Sequence, residues 1–136
     1  MPQTFKGIDM KKMLLFFSHK LTDSQKADAK RSWGVEEFLY LPSDLQSLFS
    51  NVPPELESLK EYAKPLTGFL KKNSKEGDMA LIQGDFGLVN ILVKEAEKNG
   101  VIPVYSTTKR EAVEKEIEGK SVKISRFEHI RYRRYE

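Results

Sequence analysis

Met79-Ala80-Leu81-Ile82-Gln83-Gly84-Asp85-Phe86-Gly87-Leu88-Val89 decides how this chain is read. An apolar run of strand length meets two glycines, and an amphipathic helix follows at once. Gly84 and Gly87 allow a sharp turn where a side chain would clash. In an α/β sheet such a strand-to-helix turn lies at the carboxyl edge, where ligands bind. The first N–H groups of the helix point toward that edge and can receive an anion. The spacing is neither G-x-G-x-x-G nor a Walker loop, so it is not a nucleotide fingerprint.

Working outward, Met13-Leu14-Leu15-Phe16-Phe17 reads as a central parallel strand covered on both faces. Thr22 or Asp23 caps a helix from Ser24 to Trp33, and Gly34 stops it. Val35 to Leu41 is a second strand. A short helix runs from Ser43 or Asp44 through Phe49. Glu55 to Asn73 carries a helical pattern that Pro65 kinks or divides. Beyond the central turn, a helix from Phe86 to Asn99 ends at Gly100. Val101 to Tyr105 is a further strand, in which Pro103 predicts an edge or a local irregularity. Thr107 or Thr108 then caps a helix to Glu118. Ser121 to Tyr135 reads as one long strand or a hairpin. Strands alternating with helices predict an α/β fold: a single Rossmann-like domain, mainly parallel sheet with helices on both faces. Residues 1–12 show no period and read as a flexible leader or a cloning remnant, so the domain spans residues 13–136.

At 136 residues the chain makes one domain with a real core. It has no cysteine, which excludes disulfides, thiolate zinc sites and a Cys nucleophile, and suits a cytoplasmic location. No apolar stretch reaches the roughly 18 residues of a membrane span. Net charge is only +3, but from Lys120 to Glu136 six basic residues face two acids. Such a strand either attracts phosphates or protects a sheet edge from aggregation.

Three strands should end at one edge and bring their loops together. These are Ser18 and His19, then Gln83 to Gly87, then Ser106 to Arg110. Hydroxyls, amides, one imidazole and the cations Lys109 and Arg110 suit an anionic ligand rich in phosphates. Cations oppose the dipole at a helix start, so two of them there make sense around an anion. Plainer roles compete: His19 and Ser106 to Thr108 as caps, Asp85 as a turn residue, His129 as a surface residue of the basic strand. With two histidines and scattered carboxylates, no metal site or cofactor is expected.

Leu15-Phe16-Phe17-Ser18-His19-Lys20-Leu21-Thr22, Tyr40-Leu41-Pro42, Gln83-Gly84-Asp85-Phe86-Gly87 and Val104-Tyr105-Ser106-Thr107-Thr108-Lys109-Arg110 together resemble the small CRISPR-associated Csx-twenty family. The resemblance covers about Met13 to the C-terminal strand. It implies a CARF-like domain of type III CRISPR defence, acting as a homodimeric ring nuclease. Such a protein binds cyclic tetra-adenylate and cleaves it without metal, leaving 2′,3′-cyclic phosphate ends. The ribose 2′-hydroxyl would attack its own phosphate, so the protein need only align the attack and stabilise charge. On that reading Lys109 and Arg110 neutralise the phosphorane, and Ser106 and Thr107 fix the phosphate together with backbone N–H groups near Gly84 and Gly87. His19 protonates the leaving oxygen or only binds, and Ser18, Gln83, Asp85, Phe86 and Thr108 contact the ligand. No membrane and no long nucleic acid is expected as a partner. Two other readings use the same residues differently: a sensor or sponge that binds the ring uncut, and a nucleic-acid-binding protein built on the basic strand. A metal nuclease ranks last, because Asp78 and Asp85 stand at opposite ends of one strand, roughly 20 Å apart.

Overall fold

The computed structural model describes residues 10–136. It is an α/β fold with one five-stranded mixed sheet in the order β2-β1-β3-β4-β5. The strands are β1 (Lys12–Phe16), β2 (Glu37–Tyr40), β3 (Met79–Ile82), β4 (Ile102–Ile117) and β5 (Lys120–Arg134). The helices are α1 (Asp23–Trp33), α2 (Ser43–Ser50), α3 (Lys64–Asn73) and α4 (Phe86–Lys98). The first four strands are parallel, and β5 returns antiparallel beside β4.

Strand alternation divides the core between the two faces. Leu14, Phe16, Ala80 and Ile82 join Phe49, Leu66, Leu70, Leu88 and Leu92, from α2, α3 and α4, in one buried cluster. Met13, Leu15, Met79, Leu81 and Val104 form a second cluster with Ala29 of α1 and Tyr132 of β5. Continuous apolar strands are what a sheet covered on both faces requires.

Of the leader expected over residues 1–12, residues 1–9 lie outside the described residues. Lys11 and Lys12 already belong to the fold. The Lys11 carbonyl accepts from the Glu36 and Glu37 amides, and Lys12 opens β1. The second strand is shorter than Val35 to Leu41. The helix expected from Glu55 is confined to α3, with Pro65 in its first turn, where a missing N–H costs nothing.

The largest correction concerns residues 107–118. They form no helix: β4 runs through them to Ile117 and pairs with β5 at every position from Lys109↔Glu128 to Ile117↔Lys120. Glu118 and Gly119 make the turn, both with positive φ (53° and 76°). Two left-handed residues in a two-residue loop match the right-handed twist of the strands they join. Thr107 and Thr108 therefore cap nothing, and the argument from cations at a helix start falls with them. Pro103 sits inside the sheet rather than at an edge, opposite Ala80, and the outer edge is β5. An irregularity does occur in β4's pairing, farther on, between Thr107 and Thr108.

Since β3 ends at Ile82, the β4–β5 hairpin continues past the sheet as a free two-stranded ribbon. It rises from the carboxyl edge like a wall and separates the ground above the sheet into two sides.

Candidate functional site

On the α1 side of the wall lies a cleft of about 420 Å³. The loop after β1 supplies His19 and Lys20, the start of α1 supplies Thr22 and Gln25, and the base of the ribbon supplies Thr108 and His129. Phe17 and Phe127 add apolar walls. The volume is typical of small-molecule sites, which run from about 300 to 1,000 Å³.

A chain of buried hydrogen bonds forms the floor. Ser106 Oγ lies 2.6 Å from His129 Nδ1, and His129 Nε2 lies 2.7 Å from Asp28 Oδ2. Ser32 Oγ donates to the other Asp28 oxygen at 2.7 Å. An ionised carboxylate only accepts, so His129 donates from Nε2 to Asp28. Its Nδ1 accepts from Ser106 when the ring is neutral and donates to Ser106 Oγ when the ring is protonated, the form whose charge acts on Asp28. Burial works to raise the Asp28 pKa. The hydrogen bonds from Ser32 and His129, with the charges of His129 and Arg31, outweigh it and hold the carboxyl below its usual range.

Gln25 ties this floor to the helix start. Its amide oxygen accepts from the Thr22 N–H at 2.9 Å while Thr22 Oγ1 accepts from the Gln25 N–H at 3.1 Å. Those reciprocal bonds satisfy two donors that a helix start leaves open. The Gln25 amide nitrogen reaches Ser106 Oγ at 3.5 Å, and its carbonyl accepts from Tyr132 OH at 2.9 Å.

Strand alternation alone would put His129 and Tyr132, three residues apart, on opposite faces. The register slips between Thr107↔Arg131 and Thr108↔His129, leaving Ile130 without a partner. This bulge turns both rings toward α1, with centroids 4.6 Å apart. Thr107 holds it closed: its hydroxyl donates to the Arg131 carbonyl at 3.0 Å and accepts from the Arg131 N–H at 3.2 Å.

Serine, histidine and aspartate in this order have the geometry of a nucleophile, a base and its orienter. An acyl-enzyme does not fit them. Ser106 is only 9% exposed, and its N–H is committed to Gln83 Oε1 at 2.7 Å rather than to an oxyanion. The network instead fixes where the His129 ring stands beneath the cleft. Among the described residues no three His, Asp or Glu side chains gather to hold a metal ion.

The residues singled out in the sequence divide between the two sides of the wall. His19 and Thr108 meet in the cleft, and Ser106 lies beneath it, joined to Gln83. Arg110 follows Thr108 along the same ribbon face and donates to Ser125 Oγ at 3.0 Å. Lys109 alternates to the opposite face, paired with Glu128. Ser18 bonds Ser50. Asp85 caps α4, accepting from the Leu88 N–H at 3.0 Å, so the chain's own carboxylate occupies the helix start offered to an anion. Gly84 is required by packing: a Cβ there would stand 2.8 Å from the Phe49 ring. Gly87 lies against Leu59. Gln83, Gly84 and Phe86 line a separate groove of about 380 Å³ with Tyr105 and Tyr135 on the α4 side. Phe86 is 94% exposed there. His129, read as a surface residue, has a side chain only 4% exposed. Asp28 was not among the candidates at all; a carboxylate inside a helix of mostly polar residues gives no signal in sequence.

A sequence profile described as "Uncharacterized protein MJ1673 family" matches residues 11–133. The chain belongs to the MJ1673 family. The protein described as "Uncharacterized protein MJ1673" from Methanocaldococcus jannaschii is 48% identical over 126 residues, covering 93% of this chain and 98% of that protein. No solved structure matches the chain. The MJ1673 family match takes in Asp28, Ser106 and His129 and the whole ribbon.

Proposed function

We propose that the chain is a metal-independent ring nuclease of type III CRISPR defence, cytoplasmic and homodimeric, which binds cyclic tetra-adenylate and cuts it to linear products with 2′,3′-cyclic phosphate ends. The observation that carries the reading is the cleft: imidazole, ammonium and hydroxyl groups from His19, Lys20 and Thr108 converge at the carboxyl edge, above a histidine held by Asp28. A Rossmann-like, CARF-related domain would place its ligand there, where the chain leaves β1 for β2 on one side and β3 lies on the other. The likeness of the four motifs to the Csx-twenty family supplies the ligand class.

In this reaction the 2′-hydroxyl attacks the adjacent phosphorus, and the P–O5′ bond breaks. The 2′ proton passes to a base, and the departing 5′-oxygen takes a proton from an acid. His19, on the cleft rim, serves as that acid or as a binder. Lys20 and Arg110, on the cleft side of the ribbon, neutralise charge on the phosphate, while Lys109 stands on the opposite face and would act only on a part of the ligand that reaches it. Thr108 orients the phosphate. A cleft of about 420 Å³ is too small for a four-nucleotide ring, so two subunits related by a two-fold axis would share one.

The test is incubation with cyclic tri-, tetra- and hexa-adenylate in EDTA, read by liquid chromatography–mass spectrometry. Linear products with cyclic phosphate ends from the tetramer are expected. Tight binding without product would make the protein a sensor or sponge. Neither binding nor cleavage would end the proposal. Undiminished cleavage by a Lys109→Ala, Arg110→Ala double variant would remove those two cations from the mechanism.

A second reading has its own observation. Among the described residues Arg131, Arg133 and Arg134 pair with no carboxylate. Lys11 and Arg134 both lie against the Trp33 ring, at 5.8 and 5.6 Å from its centroid. An edge of this kind fits single-stranded nucleic acid and predicts affinity that falls steeply with salt.

A further inference from the structure

The groove on the α4 side of the wall takes no part in the cleft. Its volume is about 380 Å³, and Gln83, Gly84, Phe86, Val89, Tyr105 and Tyr135 line it. Tyr105 and Tyr135 form a pair, with ring centroids 5.0 Å apart and planes tilted by 52°. Their hydroxyls are turned to protein partners: Tyr135 donates to the Ile82 carbonyl, and Tyr105 accepts from Arg133 at 3.0 Å. What the pair presents to the groove is therefore ring surface. Phe86, at the start of α4, is 94% exposed and too far out to serve the core. Gln83 supplies an oriented polar group. Its Oε1 accepts from the Ser106 N–H at 2.7 Å, which fixes the amide and leaves its NH2 half with no acceptor among the described residues. No buried side-chain polar atom among them lacks a partner, so that NH2 is open to water.

We infer that this groove binds an uncharged purine nucleoside, its base stacked on Phe86 and against the tyrosine pair, with a ring nitrogen accepting from the Gln83 NH2. Every nucleobase has a π-face for stacking, and a two-ring base covers more of three aromatic side chains than a one-ring base does. A plain hydrocarbon ring would cover the Gln83 donor without pairing it, which costs more than a bond there gains. The groove therefore selects a heterocycle that carries an acceptor. It continues along α4 into a second hollow of about 360 Å³ that shares Phe86, Val89 and Tyr135. Asn90 lines this hollow one helical turn beyond Phe86, where its amide can bond the hydroxyls of a ribose. A phosphate has no seat here. Asp85 already takes the Leu88 N–H at the start of α4. Lys94 shares the second hollow with the carboxylates of Glu97 and Glu136. Added negative charge meets these carboxylates, so the nucleoside is preferred over its phosphate esters.

The groove lies across the ribbon from the cleft, and the inference stands whether or not the cleft cuts cyclic adenylates. NMR titration of the full, isotope-labelled chain with adenosine tests it directly. Saturable shifts are expected at the Gln83 side-chain NH2, at Phe86 and at the Ser106 N–H, whose acceptor is Gln83. AMP is expected to bind no more tightly than adenosine. Phe86→Ala should weaken adenosine about tenfold. Because that ring is 94% exposed, thermal unfolding should stay where it was. Gln83→Glu keeps an oxygen for the Ser106 N–H and removes the donor, and should also weaken adenosine about tenfold. Absence of saturable shifts at millimolar adenosine, or shifts gathered instead at His19, Lys20 and Thr108 in the cleft, would overturn the proposal. So would AMP binding more tightly than adenosine, or undiminished adenosine binding by either variant.

Discussion

The two faces of the sheet are closed by different chemistry. On the α3–α4 face, Leu14, Phe16, Ala80 and Ile82 pack against Leu66, Leu70, Leu88 and Leu92, all fully buried. On the α1 face, Met13, Leu15 and Met79 share their space with Gln25, Asp28, Ser106 and the His129 ring. Apolar contact stabilises in proportion to area and favours no particular direction. A chain of hydrogen bonds adds less net stability but holds each atom at one distance and angle. Both faces bury apolar side chains, but the α1 face adds a geometrically defined polar chain, next to the cleft.

That contrast can be broken first where the effect is greatest. Leu92→Ala should cost about 2–5 kcal/mol in urea unfolding, by lost burial and the cavity left behind. A loss well below that range would mean that α4 is not where stability resides. His129→Ala should cost less, about 1–3 kcal/mol, because it leaves Asp28 and Ser106 short of a partner. Its effect on ligand turnover should exceed its effect on stability. In a cycle with Asp28→Ala the two losses should fail to add, as they do for groups in one network. Thr22→Ala should cost about 1 kcal/mol by opening the cap of α1. Unlike an exposed cap elsewhere, it should also disturb the cleft, because Gln25 loses its anchor and Ser106 its neighbour.

The smallest effect sharpens the comparison by pH. Asp28 has a lowered pKa in the folded chain, so its contribution is complete above the ordinary aspartate value of about 3.9 and is lost as pH falls through the folded value. Unfolding free energy should therefore decline on the acid side, and Asp28→Asn should flatten that limb. Leu92→Ala should shift the whole curve downward and leave its shape alone. An unchanged acid limb in Asp28→Asn would detach the carboxylate from stability.

The parallel part of the sheet was legible because burial on both faces leaves continuous apolar runs, as in Met13 to Phe17 and Met79 to Ile82. The ends of α1 were legible from Thr22 and Gly34, whose local chemistry decides a helix end. Residues 107–118 misled for a physical reason. Lys109-Arg110-Glu111-Ala112-Val113-Glu114-Lys115-Glu116 is made of good helix formers, and Gly119 looks like a helix stop. What overrides that preference is a strand partner beyond the turn, and pairing across a hairpin is a property of two segments together. Part of the cleft followed from the strand ends expected after Phe17 and Tyr105, which gave His19, Ser106 and Thr108, although the second strand in fact runs on to Ile117. Its fixed histidine did not. The position of His129 depends on a one-residue slip at Ile130, and Asp28 becomes visible only once α1 is laid against that slip.

The bulge at Ile130 has a consequence for the lengths this chain can tolerate. Residues may be gained or lost at the far tip of the ribbon, provided both arms change together, and the cleft will not feel it. Closing the bulge with Ile130 retained is different. The ladder would become regular, with Ile130 opposite Thr108 and His129 opposite Lys109. Everything between Lys120 and His129 would then turn over, carrying the imidazole from Asp28 to the far face. Removing Ile130 itself would leave His129 opposite Thr108, so the root of the ribbon tolerates the loss of that residue but not a one-residue slip of pairing.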